Sequence, residues 1–351
     1  MSLPEVTARI RDIDGVVAAA TRQKLDRLTK PQGSLGRLEE LAVQYCAITG
    51  ERKPAVPRGV VFTLAADHGV VEEGVSAYPR DVTAQMVLNF LRGGAGVNVL
   101  ARHAGVEVQV VDIGVAHRFE VLPGLLDRKV RMGTGNLARE VAMSRESAEQ
   151  AVLVGVELAT DAIREGTGLI GTGEMGIGNT TASAAITAAM TRSNVNDVTG
   201  RGTGIDEQAR RKKVDVIERA LQLHRPNVDD PVDVLSKVGG LEIAGIAGLI
   251  LGAAAGRVPV VLDGFIAGAA ALIACGLQPR CRRYLIASHR SVEPGHQIVL
   301  AHLGLTPLLD LDLRLGEGTG ACLGMGLVQA AVKILTEMAT FGEAGVSDRS
   351  A

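Results

Sequence analysis

Four short runs of the chain are β-branched and almost continuously apolar: GVVFTLA (59–65), VEVQVVD (106–112), VPVVLD (258–263) and YLIA (284–287). Continuous rather than alternating hydrophobicity marks strands covered on both faces. Helix-length segments lie between and around them, at about 82–103, 146–165, 179–192, 206–223, 241–256 and 264–276. Strand and helix taking turns predicts an α/β fold with a mostly parallel sheet, right-handed crossovers and helices on both faces. Two further helices are predicted near the start. Val16 to Thr29 stops before Pro31, and LGRLEELAVQYCAIT follows Ser34 as its N-cap, with Gly50 as a stop. The last long helix, about 320–339, has no strand after it and is expected to return onto the N-terminal helices. Residues 1–50 with 320–351 are then a small helical domain, and 51–319 an α/β domain. Residues 347–351 read as a frayed tail.

Composition narrows the partners. The 351 residues include no Trp, three Tyr and five Phe, so the aromatic platforms that stack single-stranded nucleic acid are missing. Thirty-seven Lys and Arg against 39 Asp and Glu leave a net charge of -2, with no overall field for a polyanion. Nucleic acid is not an expected partner. Ile243–Gly256 and Gly264–Pro279 carry no charge, but both are shorter than the roughly 18–20 residues of a membrane span. Arg257, Pro259 and Asp263 interrupt them, and their Gly/Ala richness suits helices packed closely on a sheet. The N-terminal stretch has no apolar core of signal-peptide length, so a cytoplasmic protein is expected. Cys46, Cys275, Cys281 and Cys322 show no CxxC spacing and read as reduced core thiols.

The candidate chemistry sits in glycine-rich loops, where a parallel sheet places its ligands. In GTGEMGIGNTT (171–181), Gly171, Gly173 and Gly176 satisfy GxGxxG, but only a short apolar stub, Leu169–Ile170, precedes them. Gly173 and Gly178 also approximate a P-loop, with Asn179 where that motif needs Lys. The loop is read either as a cradle for one phosphate or as a tight turn without a ligand. Glu174 would repel a phosphate and fits a sugar hydroxyl or a ligand N–H better. GRGTGID (200–206) precedes Lys212 and Lys213, which make either a solvated helix face or an anion site. In RLGEGTGA (314–321) Glu317 stands among glycines just before a helix, serving the helix dipole or a ligand. Asp67-His68-Gly69 ends the first strand, and SHRSVEPGH (288–296) follows the last one. The histidines show no metal-ligand spacing, so no metal site is expected.

ADHGV, GEMGIGNTT, KVGGLEIAGIAGLILGAA, VLDGF, LIASH and RLGEGTGA occur in this order along the chain. With them the sequence resembles the nicotinate-nucleotide–dimethylbenzimidazole phosphoribosyltransferase family, which makes the α-ribazole phosphate of the cobalamin lower ligand. The resemblance runs from LTKPQGSLGRLEELA (28–42) to the last helix. It implies a Rossmann-like sheet, a homodimer, small-molecule substrates and no cofactor. It puts the general base on Glu317, and Glu174, Gly176, Gly178 and Asn179 by the ribose and phosphate. Lys213 corresponds to a phosphate-binding lysine, and Gly202, Asp263, Gly264 and Ser291 belong beside the nucleotide. Tyr78, Met86 and Leu315 line the benzimidazole pocket. Some members carry Ser and Gln at the positions of Tyr78 and Met86, which lines the base differently. Two rivals stay open: a nicotinamide-dinucleotide oxidoreductase, and a nucleotide sensor without catalysis.

Overall fold

The computed structural model describes residues 1–347; most of the tail read as frayed, 348–351, lies outside them. Six parallel strands form one sheet in the order β3-β2-β1-β4-β5-β6. They are β1 (Arg58–Ala66), β2 (Glu107–Gly114), β3 (Leu125–Asp127), β4 (Thr167–Met175), β5 (Val260–Leu262) and β6 (Leu285–Ala287). All four strands predicted from the apolar runs are present. The chain order reverses between the neighbours β1 and β4, which opens a crevice beyond their carboxyl ends.

The faces follow from the strand period of two. In β1, Val60, Phe62, Leu64 and Ala66 join one core, and Val61 and Ala65 join the other. The first core lies under the helices Arg145–Arg164, Leu241–Ala255 and Phe265–Leu277. Glycine sets the first contact. A methyl group at Gly155 would reach 1.8 Å from the Gly245 carbonyl oxygen, and one at Gly248 would reach 1.8 Å from that of Val152. The Gly/Ala-rich segment therefore packs against a helix as tightly as against the sheet. The second core joins the helices Gly15–Leu25, Arg37–Thr49 and Thr319–Glu337 to the other sheet face. Thr319–Glu337 is long and apolar enough to cross a membrane by composition, yet more than half of it is buried in that core.

Three expectations need correction. Residues 171–175 are the end of β4, so the loop there is only Gly176 to Gly178. The segment 82–103 is two helices, Val82–Leu91 and Gly96–Ala104, broken at Gly93, whose φ is +77°. The helix at 37 is capped by Gly36 without a side-chain bond; the nearby side-chain bond is from the Leu35 N–H to Glu39 Oε1 at 3.0 Å. Ser34 does not cap it.

Candidate active site

The site is built on an unusual backbone. Gly316, Glu317 and Gly318 all lie in the left-handed region, with φ of +83°, +66° and +102°. For a side-chain-bearing residue this conformation costs roughly 1–2 kcal/mol, so it persists only where its surroundings enforce it. Several contacts do so. Thr63 Oγ1 donates to the Glu317 carbonyl at 2.8 Å. Gly173 in β4 leaves room for that carbonyl, since a methyl group on Gly173 would lie 2.2 Å from the oxygen. Asp263, just after β5, accepts from Gly318 N at 3.0 Å through Oδ2, and from Gly320 N at 2.7 Å and Ala321 N at 3.2 Å through Oδ1. The Val97 N–H, at the start of the helix Gly96–Ala104, donates to Glu317 Oε2 at 3.3 Å. The break at Gly93 thus creates the helix N-terminus that receives this carboxylate. Burial raises the pKa of Glu317, and Asp263 adds to that, while the Val97 N–H opposes it.

Glu174, at the carboxyl end of β4, stands beside it. Its Oε2 accepts a short hydrogen bond from Asn179 Nδ2. Burial, then the charges of Asp263 and Glu242, push Glu174 up to about 8; the Asn179 bond pulls the other way, and Glu317 adds to the rise. Gly316 fits here because a methyl group would meet Glu174 Oε1 at 2.3 Å. Behind Glu174, His68 Nε2 and Glu242 Oε1 form a fully buried pair at 2.6 Å. His68 therefore packs behind the wall at Gly176 and does not line the cavity.

Both carboxylates line a cavity of about 490 Å³. Its wall also includes Gly176, Asn179 and Thr180 at the start of the helix Asn179–Thr191, Gly202 and Thr203 from the second glycine loop, and Gly264 and Ser291 after β5 and β6. The apolar part includes Tyr78, Val82, Met86, Ile177 and Leu315, with Met175, Phe265 and Ile266; Tyr78 and Leu315 are half-exposed. Lys213 comes from the helix Glu207–His224 and is buried, whereas its neighbour Lys212 is exposed. Its Nζ donates to Thr180 Oγ1 at 2.7 Å. Burial lowers its pKa to about 8, with Glu293 opposing. Glu293 Oε1 in turn accepts from Gly202 N at 2.8 Å.

Most residues singled out in the sequence converge here. Lys213, Gly178 and Asp263 stand one layer back: Lys213 behind Thr180, Gly178 as helix N-cap, and Asp263 beneath the Glu317 turn. Sequence reasoning did not single out His289, Glu293, Thr203 or Arg314, all in the wall. His289 and Glu293 belong to SHRSVEPGH, flagged by position alone, in which the loop ends at Glu293 and the helix Pro294–Leu303 begins. His289 Nε2 lies 3.8 Å from Asp263 Oδ1, and burial lowers its pKa.

A parallel sheet with the 3-2-1-4-5-6 order, and a cavity with two carboxylates beyond the strand ends where that order reverses, form the arrangement of α/β enzymes that bind small ligands there. The family described as "Phosphoribosyltransferase" matches residues 10–346, and the chain belongs to it and transfers phosphoribosyl groups. Similar proteins include the nicotinate-nucleotide–dimethylbenzimidazole phosphoribosyltransferases of Geobacter sp. (strain M21) and Roseiflexus sp. (strain RS-1). Each is 60% identical, over 98% of this chain and 99% of the first, and over 99% of this chain and 98% of the second. The crystal structure of CobT from Thermus thermophilus superimposes with a TM-score of 0.91 at 52% identity, over 95% of this chain and all of that one.

Proposed function

We propose that the chain transfers the 5-phosphoribosyl group of nicotinate mononucleotide to 5,6-dimethylbenzimidazole in one inverting displacement, with Glu317 as general base. The observation that carries this reading is a Glu317 carboxylate held on a helix N-terminus in the cavity that Glu174 also lines. An unprotonated azole nitrogen attacks C1′ while the bond from C1′ to the pyridinium nitrogen breaks and its electron pair stays on that nitrogen. Nicotinate leaves with a neutral ring, so no acid is needed on its side. Positive charge grows on the azole, and the proton of its second nitrogen passes to Glu317. Oε2 is engaged by the Val97 N–H, so Oε1 is assigned to that proton. Between bond breaking and bond making the sugar is oxocarbenium-like, and the ionised form of Glu174, which becomes the main form above about pH 8 in the ligand-free fold, stabilises it. Gly176, Gly202, Thr180 and Lys213 hold the phosphate, while Tyr78, Met86 and Leu315 hold the base.

The dinucleotide rival has less support, because Gly171 and Gly173 lie within β4 instead of the strand-to-helix turn that cradles a pyrophosphate. The test is a product assay with nicotinate mononucleotide and dimethylbenzimidazole, read by nicotinate release and by NMR of the anomeric carbon. The α-anomer is expected. A β-anomer, or binding of the nucleotide without nicotinate release, contradicts the proposal.

A further inference from the structure

Asp263 is buried, with both carboxylate oxygens taken up by protein N–H groups. Gly318, Gly320 and Ala321 donate to it, and these are N–H groups that the start of a helix otherwise leaves without partners. The cap is not local: Asp263 follows β5, far along the chain from the helix Thr319–Glu337 that it serves. Asp263 is itself fixed, since its N–H donates to Thr172 Oγ1 at 3.1 Å and its carbonyl accepts from Ser288 Oγ at 3.3 Å. Of roughly four acceptor sites on a carboxylate, three are filled, which leaves little for a nucleotide hydroxyl. The first donor, Gly318 N, is the peptide group directly after the left-handed Glu317.

We infer that Asp263 is a positioning residue acting through Glu317: by capping the helix Thr319–Glu337 across the sheet it holds the Gly316–Gly318 turn that aims the Glu317 carboxylate. This rests on the reading of Glu317 as the base. A carboxylate cap suits the task better than a carboxamide. In Asp263→Asn one side of the amide presents N–H to N–H, which releases either Gly318 or the Gly320–Ala321 pair.

A double-mutant cycle over Asp263→Asn and Glu317→Gln, with kcat and the nucleotide KM measured for all four enzymes, tests it. Asp263→Asn alone is expected to lower kcat about 10- to 100-fold, the cost of a misplaced reacting group, with the nucleotide KM within about twofold. On the Glu317→Gln background it is expected to change kcat less than about twofold, because the aimed group is already gone. Asp263→Ser, a neutral cap, runs through the same cycle should the Asn variant not fold. A raised nucleotide KM at constant kcat overturns the inference in favour of direct nucleotide contact. The full loss repeated on a crippled Glu317→Gln enzyme overturns it too, and leaves the base assignment standing. A Glu317→Gln enzyme with near wild-type kcat removes the base assignment and this inference together.

Discussion

Gly173 and Glu317 touch backbone to backbone. A methyl group on Gly173 would lie 2.2 Å from the Glu317 carbonyl oxygen and 2.7 Å from its carbon. Neither is the flexible end of a side chain, so the turn carrying Glu317 would have to move. Gly173→Ala is expected to cost about 1–3 kcal/mol of stability, the range for overpacking. It is also expected to lower kcat by about tenfold or more, since small misplacements of reacting groups are expensive. Urea denaturation and steady-state kinetics check the two effects; an alanine enzyme matching wild type in both contradicts the contact.

The same contact explains a misread element. TGLIGTGEM carries three glycines, which weaken strand propensity, so Gly171 to Met175 looked like loop. Gly171 and Gly173 are glycines because the helix Thr319–Glu337 and the turn before it press on β4. A methyl group on Gly171 would sit 2.8 Å from Met325 Sδ. The strands made of continuous β-branched residues were legible, because burial on both faces shows in composition. The break at Gly93 is marked by Gly93, Gly94 and Gly96, breakers inside a helical segment, which the single-helix reading of 82–103 passes over. Lys213 and Lys212 are indistinguishable in sequence, and only the phase of their helix buries one and exposes the other. Most of the cavity-lining residues came from the glycine loops and from family resemblance. The purpose of Asp263 needed three N–H groups that sequence cannot display.

Glu174 gives a pH signature. Its carboxyl titrates at about 8 in the fold against an ordinary 4.5. A raised carboxyl contributes stability that is fully present below the unfolded pKa and is lost as pH rises through the folded value. Glu174→Gln has no such loss. In melts of the ligand-free proteins, Tm of the variant minus Tm of wild type is expected to grow from pH 5 to pH 9. A flat difference across that window contradicts the burial argument.

Lys213, proposed to supply charge to the phosphate site, bears on the other reactant. Its ammonium titrates at about 8, lowered first by burial. Below that pH it is charged and can hold a phosphate; above it the charge is lost. The wild-type KM for nicotinate mononucleotide is therefore expected to rise above pH 8. Lys213→Ala is expected to raise that KM about 10- to 100-fold, as for a lost charged hydrogen bond, and to remove the pH dependence. An effect on kcat alone contradicts the phosphate role.

Glu317 stands at the centre, its carboxylate on the Val97 N–H and its backbone tied to Thr63 and Asp263. The most direct measurement is kcat of Glu317→Gln with nicotinate mononucleotide and dimethylbenzimidazole, alongside nucleotide affinity by calorimetry. A carboxamide keeps the shape and cannot take the proton. The expected result is a kcat lower by about 10²- to 10⁴-fold with nucleotide affinity unchanged. A variant that binds the nucleotide as wild type does and turns over at a near wild-type rate contradicts the mechanism.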